Sequence, residues 1–269
     1  VTRTLLIDAD IIAYQCSASN EENIDWGDGV TSHTADFEAA CEAARQTVDH
    51  LVATLKADGA IICLSDDFRS FRKEDVYPLY KSNRKETVRP EHLYDLKEWL
   101  GQEYKTVIRA RLEADDVMGI LSTEPHEGER IIVSADKDMQ TIPGLLYNPN
   151  KPELKIRSIT PAEAERFMLW QAITGDQTDG YPGCPGSGPK AADRLLAGTG
   201  WEQYTHTFAS GPRKGTEELR WREKEGMGRW PAIVSAYEKA GLTEQDAVVQ
   251  VNCARILKHS DMDGNRIIR

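Results

Sequence analysis

Cysteine is scarce in this chain and never paired at short range. Its five (Cys16, Cys41, Cys63, Cys184, Cys253) are odd in number, widely spread and never in a CxxC spacing, so neither a disulfide framework nor a zinc site is expected and a reducing cytoplasm fits best. No stretch approaches the roughly 20 apolar residues of a membrane span. The opening VTRTLLIDAD lacks the basic patch and apolar core of an export signal, and its LLI reads as a strand. The six histidines (33, 50, 92, 126, 206, 259) are scattered without ligand spacing. There is no GxxxxGK[ST] loop and no GxGxxG after a strand, which excludes nucleotide-driven chemistry as an economical reading. Positive charge is also short: 33 basic against 44 acidic residues leave a net charge of −11. As an average that opposes nucleic-acid binding, but acids clustered around metal ions and bases along a separate track can coexist in one acidic chain.

What is present is a rhythm. Short apolar runs, TLLI at 4–7, AIICL at 60–64, TVI at 106–108, RIIV at 130–133 and GLLY at 144–147, alternate with amphipathic stretches through the first 150 residues. This predicts an α/β fold on a mostly parallel central sheet flanked by helices. Residues 35–56 carry a helical stripe at Phe37, Ala40, Cys41, Ala44, Val48, Leu51, Val52 and Leu55. From about residue 158 the signals become helical, beginning at Thr160, Pro161 and Glu163. Helices are expected over 161–174, 188–197, 231–240 and 243–258. Segments 19–33 and 210–228, rich in Gly and charge, read as loops. The domain division expected is 1–158 for a catalytic core with a basic segment at 69–104, and 159–269 for a helical C-terminal lobe.

Acidic residues recur just past the strand-like runs: Asp8 and Asp10 after LLI, Asp66 and Asp67 after IICLS, Asp136 and Asp138 after IIVSA. In open α/β sheets that edge is where ligands bind. Glu113, Asp115 and Asp116 in RLEADD open a predicted helix, and Asp176 and Asp179 in GDQTDG follow another. Any one pair could be an ordinary helix cap. The whole set in one pocket would repel itself unless cations offset it. Hard oxygen ligands without His or Cys favour Mg²⁺ or Mn²⁺. Two such ions about 4 Å apart are the usual device for phosphodiester hydrolysis.

Between Arg69 and Arg89 lie seven basic residues (Arg69, Arg72, Lys73, Lys81, Arg84, Lys85, Arg89) against three acids. Lys81 and Arg84, three apart, would point to one side of a helix and suit a phosphate, with Phe71, Tyr77 and Tyr80 as nearby stacking surfaces. In GDQTDGYPGCPGSGPKAADRLL, Gly183, Gly186 and Gly188 with three prolines make a tight turn into a helix whose N–H groups can hold a phosphate, extended by Lys190 and Arg194.

In order, LIDAD, SDD followed by YKSNR, LEADD, SADKDMQTI and GDQTDGYPGCPGSGPKAA resemble the 5′ nucleases, a superfamily that includes flap endonucleases and phage 5′→3′ exonucleases. The wording RKEDVYPLYKSNRK and GLTEQDAVVQVNCARILK looks most like the exonuclease branch of T-odd podophages, which extends the resemblance over the whole chain. It implies a PIN-like core and a helix-hairpin-helix element at 174–197. It implies that Asp8, Asp66, Glu113, Asp115 and Asp116 hold one metal and Asp136, Asp138, Asp176 and Asp179 the second. Lys81 and Arg84 would engage the scissile phosphate from a helical arch, with Asp115 at the catalytic centre. Arg72, Lys85, Gly183, Gly186, Gly188, Lys190 and Arg194 would join them in contacting DNA. Two Mg²⁺ ions, replaceable by Mn²⁺, and a K⁺ ion at the hairpin carbonyls are implied as cofactors. Gly180, where many members have Asn, with Ser187 and Pro189, departs from the commoner pattern. The implied substrates are double-stranded DNA with a free 5′ end, 5′ flaps and RNA–DNA hybrids. A single-stranded DNA-binding protein or replisome contact, a monomeric state and a host cytoplasm for a phage-encoded enzyme complete the expectation. The rivals are a PIN-type nuclease acting on RNA and a non-catalytic DNA-binding scaffold.

Overall fold

The computed structural model describes residues 2–27, 30–84 and 88–268. The chain forms two compact units, the first made of Val1–Phe71, Glu86–Ala164 and Ile256–Arg269, the second of Arg72–Lys85 and Glu165–Arg255. Elements run in order β1 (Arg3–Asp8), α1 (Ala9–Ser19), β2 (Glu21–Gly27), β3 (Val30–Ala35), α2 (Phe37–Leu55), β4 (Gly59–Leu64), α3 (Leu93–Glu103), β5 (Thr106–Ile108), α4 (Ala114–Thr123), β6 (Glu129–Val133), β7 (Gly144–Tyr147) and β8 (Arg157–Ile159). They continue with α5 (Pro161–Thr174), α6 (Pro189–Leu196), β9 (Gly200–Thr207), β10 (Glu217–Lys224), α7 (Arg229–Lys239) and α8 (Glu244–Ala254).

In the first unit the main sheet has the order β5-β4-β1-β6-β7-β8, parallel throughout except β8, which runs antiparallel to β7. Every apolar run expected to be a strand is one. Buried on both faces, β1, β4 and β6 place Leu5, Leu6, Ile7, Ile62, Ile131 and Val133 in the core, as near-continuous apolar runs should. Full burial of each such side chain is worth about 1.5–3 kcal/mol. Helix α2 starts where the Asp36 carboxylate accepts from the Ala39 N–H at 2.9 Å, and stops where Lys56 turns left-handed at φ 51°. Its stripe of Ala40, Ala44, Val48, Leu51 and Leu55 is buried in the same core. Connections lead from β1 outward to β4 and β5, then return across to β6, so the strand order reverses between β1 and β6. Asp8 and Ser134 lie at that reversal, the position where α/β sheets bind ligands.

The second unit packs α5 to α8 around Ile173, Tyr181, Ala192, Ile233, Tyr237 and Val251. The Tyr237 hydroxyl, deep in this core, donates to the Ala172 carbonyl at 2.7 Å. All four helices expected after residue 158 are present.

Two expectations fail. Residues 19–33 include most of an antiparallel hairpin, β2 with β3, and 210–228 include the whole second strand of another, β9 with β10. The C-terminal portion is therefore not purely helical. Composition hid both hairpins: glycine and charge suggest loops, while the period-two alternation of YTHTF and ELRWR was the better signal.

Candidate active site

Asp8 ends β1 and caps α1. It is 6% exposed; its Oδ1 accepts from the Ile11 N–H at 3.4 Å and its Oδ2 from the Ser134 hydroxyl at 2.9 Å. Burial, helped by the nearby charges of Asp10 and Asp136 and opposed by those hydrogen bonds, pushes its carboxyl up to about 7. The Ser134 Oγ also accepts from the Asp136 N–H at 3.1 Å, tying the ends of β1 and β6 together. Asp136 in turn caps the 3₁₀ turn Lys137–Thr141 by accepting from the Asp138 N–H at 2.8 Å, and Asp138 pairs with the Lys137 ammonium at 2.8 Å.

One strand away, the loop after β4 is stitched to the start of α4. The Asp66 N–H donates to the Leu112 carbonyl at 2.9 Å and the Ala114 N–H to the Ser65 hydroxyl at 2.9 Å. Asp66 accepts from the N–H groups of Arg111 at 2.8 Å and Phe68 at 3.1 Å, and the Arg111 bond foremost holds its carboxyl below the ordinary range. Glu113 and Asp115, both half-buried, sit at the cap and first turn of α4. Below them burial, then the charges of Asp8, Asp10 and Asp115, drives the Cys63 thiol far up.

Asp116, expected among the ligands of the first metal, differs from its neighbours and takes a structural place instead. It is fully buried, accepting from the Glu113 N–H at 3.3 Å and from the Leu257 N–H at 3.0 Å. Those bonds fasten the segment after α8 onto α4. Gly119, one turn on, permits it: a Cβ there would lie 2.3 Å from the Leu257 carbonyl oxygen.

Asp10 and Asp67, which have no role in the resemblance, share one counter-ion. The Lys97 ammonium of α3, 10% exposed, reaches Asp10 at 2.9 Å and Asp67 at 2.5 Å. Burial alone would lower its pKa, but the two carboxylates outweigh that and raise it. Nothing in the sequence marks Lys97.

The second unit holds the remaining aspartates. Asp176 is 9% exposed and accepts from the N–H groups of Thr178 at 2.7 Å and Asp179 at 3.2 Å. Its backbone pairs with Tyr181, closing a tight loop. The turn before Lys85 packs on that loop: the Lys81 N–H donates to the Asp179 carbonyl at 2.7 Å, and Asn83 donates to the Gln177 carbonyl. Side chains follow, with the Arg84 guanidinium 2.9 Å and the Lys81 ammonium 3.8 Å from Asp179 Oδ1, and the Tyr80 hydroxyl donating to Oδ2 at 2.7 Å. Gly180 has φ +72°, and a Cβ on it would meet Asn83 Oδ1 at 2.6 Å.

Three expectations about the basic segment are corrected. Lys81 and Arg84 do not lie on a helix; a π turn over Arg72–Val76 leads into successive turns, with Lys81 itself left-handed at φ 55°. Arg72 does not reach solvent: it is 2% exposed and its guanidinium donates to the Arg255 carbonyl at 2.5 Å, so it braces the second unit instead of touching DNA. Phe71 and Tyr80 are 1% and 3% exposed and offer no face to a base. Lys85 lies outside the described residues. Of the hairpin residues, Gly183 is buried and its N–H is spent on Gln250 Oε1 at 2.8 Å. Gly186, Gly188 and Lys190 are exposed, and Arg194 pairs with Glu223 at 2.5 Å.

Among the described residues, no group of three or more His, Cys, Asp or Glu side chains is arranged to hold an ion as it stands. The donor chemistry nevertheless suits a hard divalent ion. Burial and neighbouring acids raise the Asp8 carboxyl to about 7, and a cation beside it would offset both causes.

The fold is that of the PIN-like 5′ nucleases: a phage T5 flap endonuclease, solved in a pseudo-enzyme-product complex with DNA and metal ions, superposes with TM-score 0.54 at 18% identity over 72% of this chain and 74% of its own. Residues 3–150 match the 5′-3′ exonuclease, N-terminal resolvase-like domain. The "Exonuclease" of Escherichia phage T7 is 32% identical, covering 96% of this chain and 89% of that protein. The "Exodeoxyribonuclease" of Enterobacteria phage T3 is also 32% identical, over 96% and 88%. The chain belongs to the 5′–3′ exonuclease family.

Proposed function

We propose that this protein is a divalent-metal-dependent 5′→3′ exonuclease acting on double-stranded DNA, which also incises 5′ flaps and removes RNA from RNA–DNA hybrids by two-metal hydrolysis. The observation that carries the metal dependence is Asp8: a buried carboxylate at the strand reversal, held up to about 7 by burial, Asp10 and Asp136, is a ligand waiting for a cation. Two Mg²⁺ ions, or Mn²⁺, when bound, supply the Lewis acidity that activates water and offsets charge on the phosphoryl oxygens.

In this reading Asp8, Asp66, Glu113 and Asp115 present oxygens to one ion, and Asp116 holds the α4 start in place from beneath. Asp136 and Asp138, with Asp176 and Asp179, serve the second. Ser134 fixes the orientation of Asp8. Lys81 and Arg84 hold the scissile phosphate, Arg84 exchanging its bond to Asp179 for a phosphate oxygen. The N–H groups near Gly186 and Gly188, with Lys190 and Arg194, grip the duplex, and the hairpin carbonyls would hold a K⁺ ion. Hydrolysis leaves a 5′-phosphate on one product and a 3′-hydroxyl on the other. Acting as a monomer in the cytoplasm of a phage host, such an enzyme degrades DNA, clears primers and exposes 3′ strands for recombination, in contact with single-stranded DNA-binding protein.

A time course on duplex DNA labelled at one 5′ end tests this, with and without Mg²⁺, for wild type and Asp115→Ala. Label released only with Mg²⁺, and not by a variant that still binds DNA, supports the reading. Binding without cleavage of duplex, flap or hybrid in either Mg²⁺ or Mn²⁺ overturns it.

A further inference from the structure

The β9–β10 ribbon has two unlike faces. Cross-strand pairing sets Glu202 opposite Arg222, Tyr204 opposite Arg220 and His206 opposite Glu218, so these share one face, with Lys224 in the same phase. On it Tyr204, His206 and Phe208 stack edge to face, with ring centroids 6.4 and 5.0 Å apart. Three guanidiniums lie over this ladder: Arg222 is 5.2 Å from the Tyr204 ring centre, Arg220 5.1 Å and Arg213 4.0 Å from that of Phe208. The opposite face carries Thr205, Leu219 and Trp221.

A hairpin does not need stacked arginines to fold. Aromatic faces fix each planar guanidinium while leaving its N–H donors directed outward, which reduces the entropy lost when an anion is bound. Four cations, Arg213, Arg220, Arg222 and Lys224, stand on this face against two carboxylates, Glu202 and Glu218, in a chain of net charge −11. The ion pairs that join them are largely solvent-exposed, and such pairs are cheap to exchange for another anion. With eight residues in each strand and about 3.4 Å per residue, the ribbon reaches roughly 27 Å. A two-stranded ribbon is a form that the major groove of duplex DNA admits. The ribbon also springs from the proposed duplex grip: β9 begins four residues after α6 ends, and Arg194 of α6 pairs with Glu223 of β10.

We propose that the Tyr204–His206–Phe208 face of this ribbon is a second contact for the phosphate backbone of duplex DNA, beside that of the hairpin. The inference rests on the nuclease reading. It assigns Arg213, Arg220 and Arg222 to processive hold on long duplexes, not to chemistry.

Fluorescence anisotropy in EDTA, over a range of NaCl, tests it with duplexes of about 12 and about 30 base pairs. The variants are Arg220→Gln/Arg222→Gln, and Leu219→Ala on the opposite face as a control for ribbon folding. The double variant is expected to bind the long duplex about ten-fold more weakly. Its slope of log affinity against log salt should be shallower by about two, at roughly 0.9 for each phosphate no longer neutralised. The short duplex and its cleavage in Mg²⁺ should be unchanged, and Leu219→Ala should behave as wild type. Equal affinity and slope for the double variant and wild type on the long duplex overturn the proposal, also where the variant instead loses hold of an acidic peptide. A wild-type protein that binds neither duplex removes the nuclease reading itself, which separates the two failures.

Discussion

Arg84 donates to Asp179 at 2.9 Å. A cation proposed for the scissile phosphate is thus held by a carboxylate proposed for a metal. Arg84→Ala is expected to lower single-turnover cleavage of 5′-labelled duplex about 100-fold, the scale of a lost charge-stabilising donor, with duplex affinity nearly unchanged. Arg84→Lys should recover only part, since a point charge does not reproduce the planar fork. Cleavage by Arg84→Ala within two-fold of wild type would remove Arg84 from the phosphate site.

Asp8 should make the metal-free protein less stable as pH rises. Its folded pKa of about 7 lies above the ordinary 3.8, so the folded form holds a proton that the unfolded form has released between those values. Stability is complete below about pH 4 and falls through pH 7, at about 1.4 kcal/mol per unit, a loss of a few kcal/mol. Asp66, lowered by the Arg111 N–H, acts in the opposite sense, its contribution disappearing as pH falls. Urea unfolding in EDTA at pH 5 and pH 8 measures the balance. Asp8→Asn should flatten the alkaline loss and Mg²⁺ should reverse it in wild type; an unchanged loss in Asp8→Asn sinks the attribution.

Adjacent acids on α4 should separate cleanly. Asp115→Ala, at a half-buried position, is expected to abolish cleavage with the smaller loss of urea midpoint. Asp116→Ala strands the buried N–H of Leu257, at about 1–3 kcal/mol, and frees the half-buried N–H of Glu113, so its midpoint should drop along with activity. Equal midpoints for the two variants would contradict the fastening role.

Gly180→Ala forces a side chain into a left-handed backbone, at about 1–2 kcal/mol, and drives its Cβ against Asn83. Asn83→Ala removes the collision but not the backbone strain. Gly180→Ala should therefore be less destabilising in the Asn83→Ala background than in wild type, a coupling readable from a double-mutant cycle. Additive effects would place the whole cost in the backbone.

The sheet was legible because its central strands are apolar on both faces, and because each of β1, β4 and β6 ends in or is followed by an acid, Asp8, Asp66 or Asp136, that accepts from a backbone N–H two or three residues on. Sequence could not distinguish Asp115 from Asp116, since which carboxylate turns inward depends on Leu257, 141 residues away along the chain. Lys97 was invisible for the same reason: its two partners come from elements brought together only by folding. Arg72 misled because a basic run reads as a surface, whereas its guanidinium is buried and donates to the carbonyl of Arg255. Ser134 had a signal, standing directly after the IIV run beside Asp136, but a hydroxyl among acids is easily passed over.

The bond from Leu257 to Asp116 also fixes when the enzyme can exist during its own synthesis. Residues 3–164 leave the ribosome first, yet the acid at the heart of α4 lacks that partner until the stretch beginning at Ile256 has emerged. A nascent chain therefore carries Asp8, Asp66, Glu113, Asp115, Asp136 and Asp138 without the clasp that holds their neighbour Asp116. Ribosome-arrested chains ending before Ile256 are expected to be cut readily by protease within 88–164 and to leave DNA intact, whereas chains extending past Leu257 resist. Translation itself thereby delays a DNA-degrading activity until the stretch that carries Leu257 has been made.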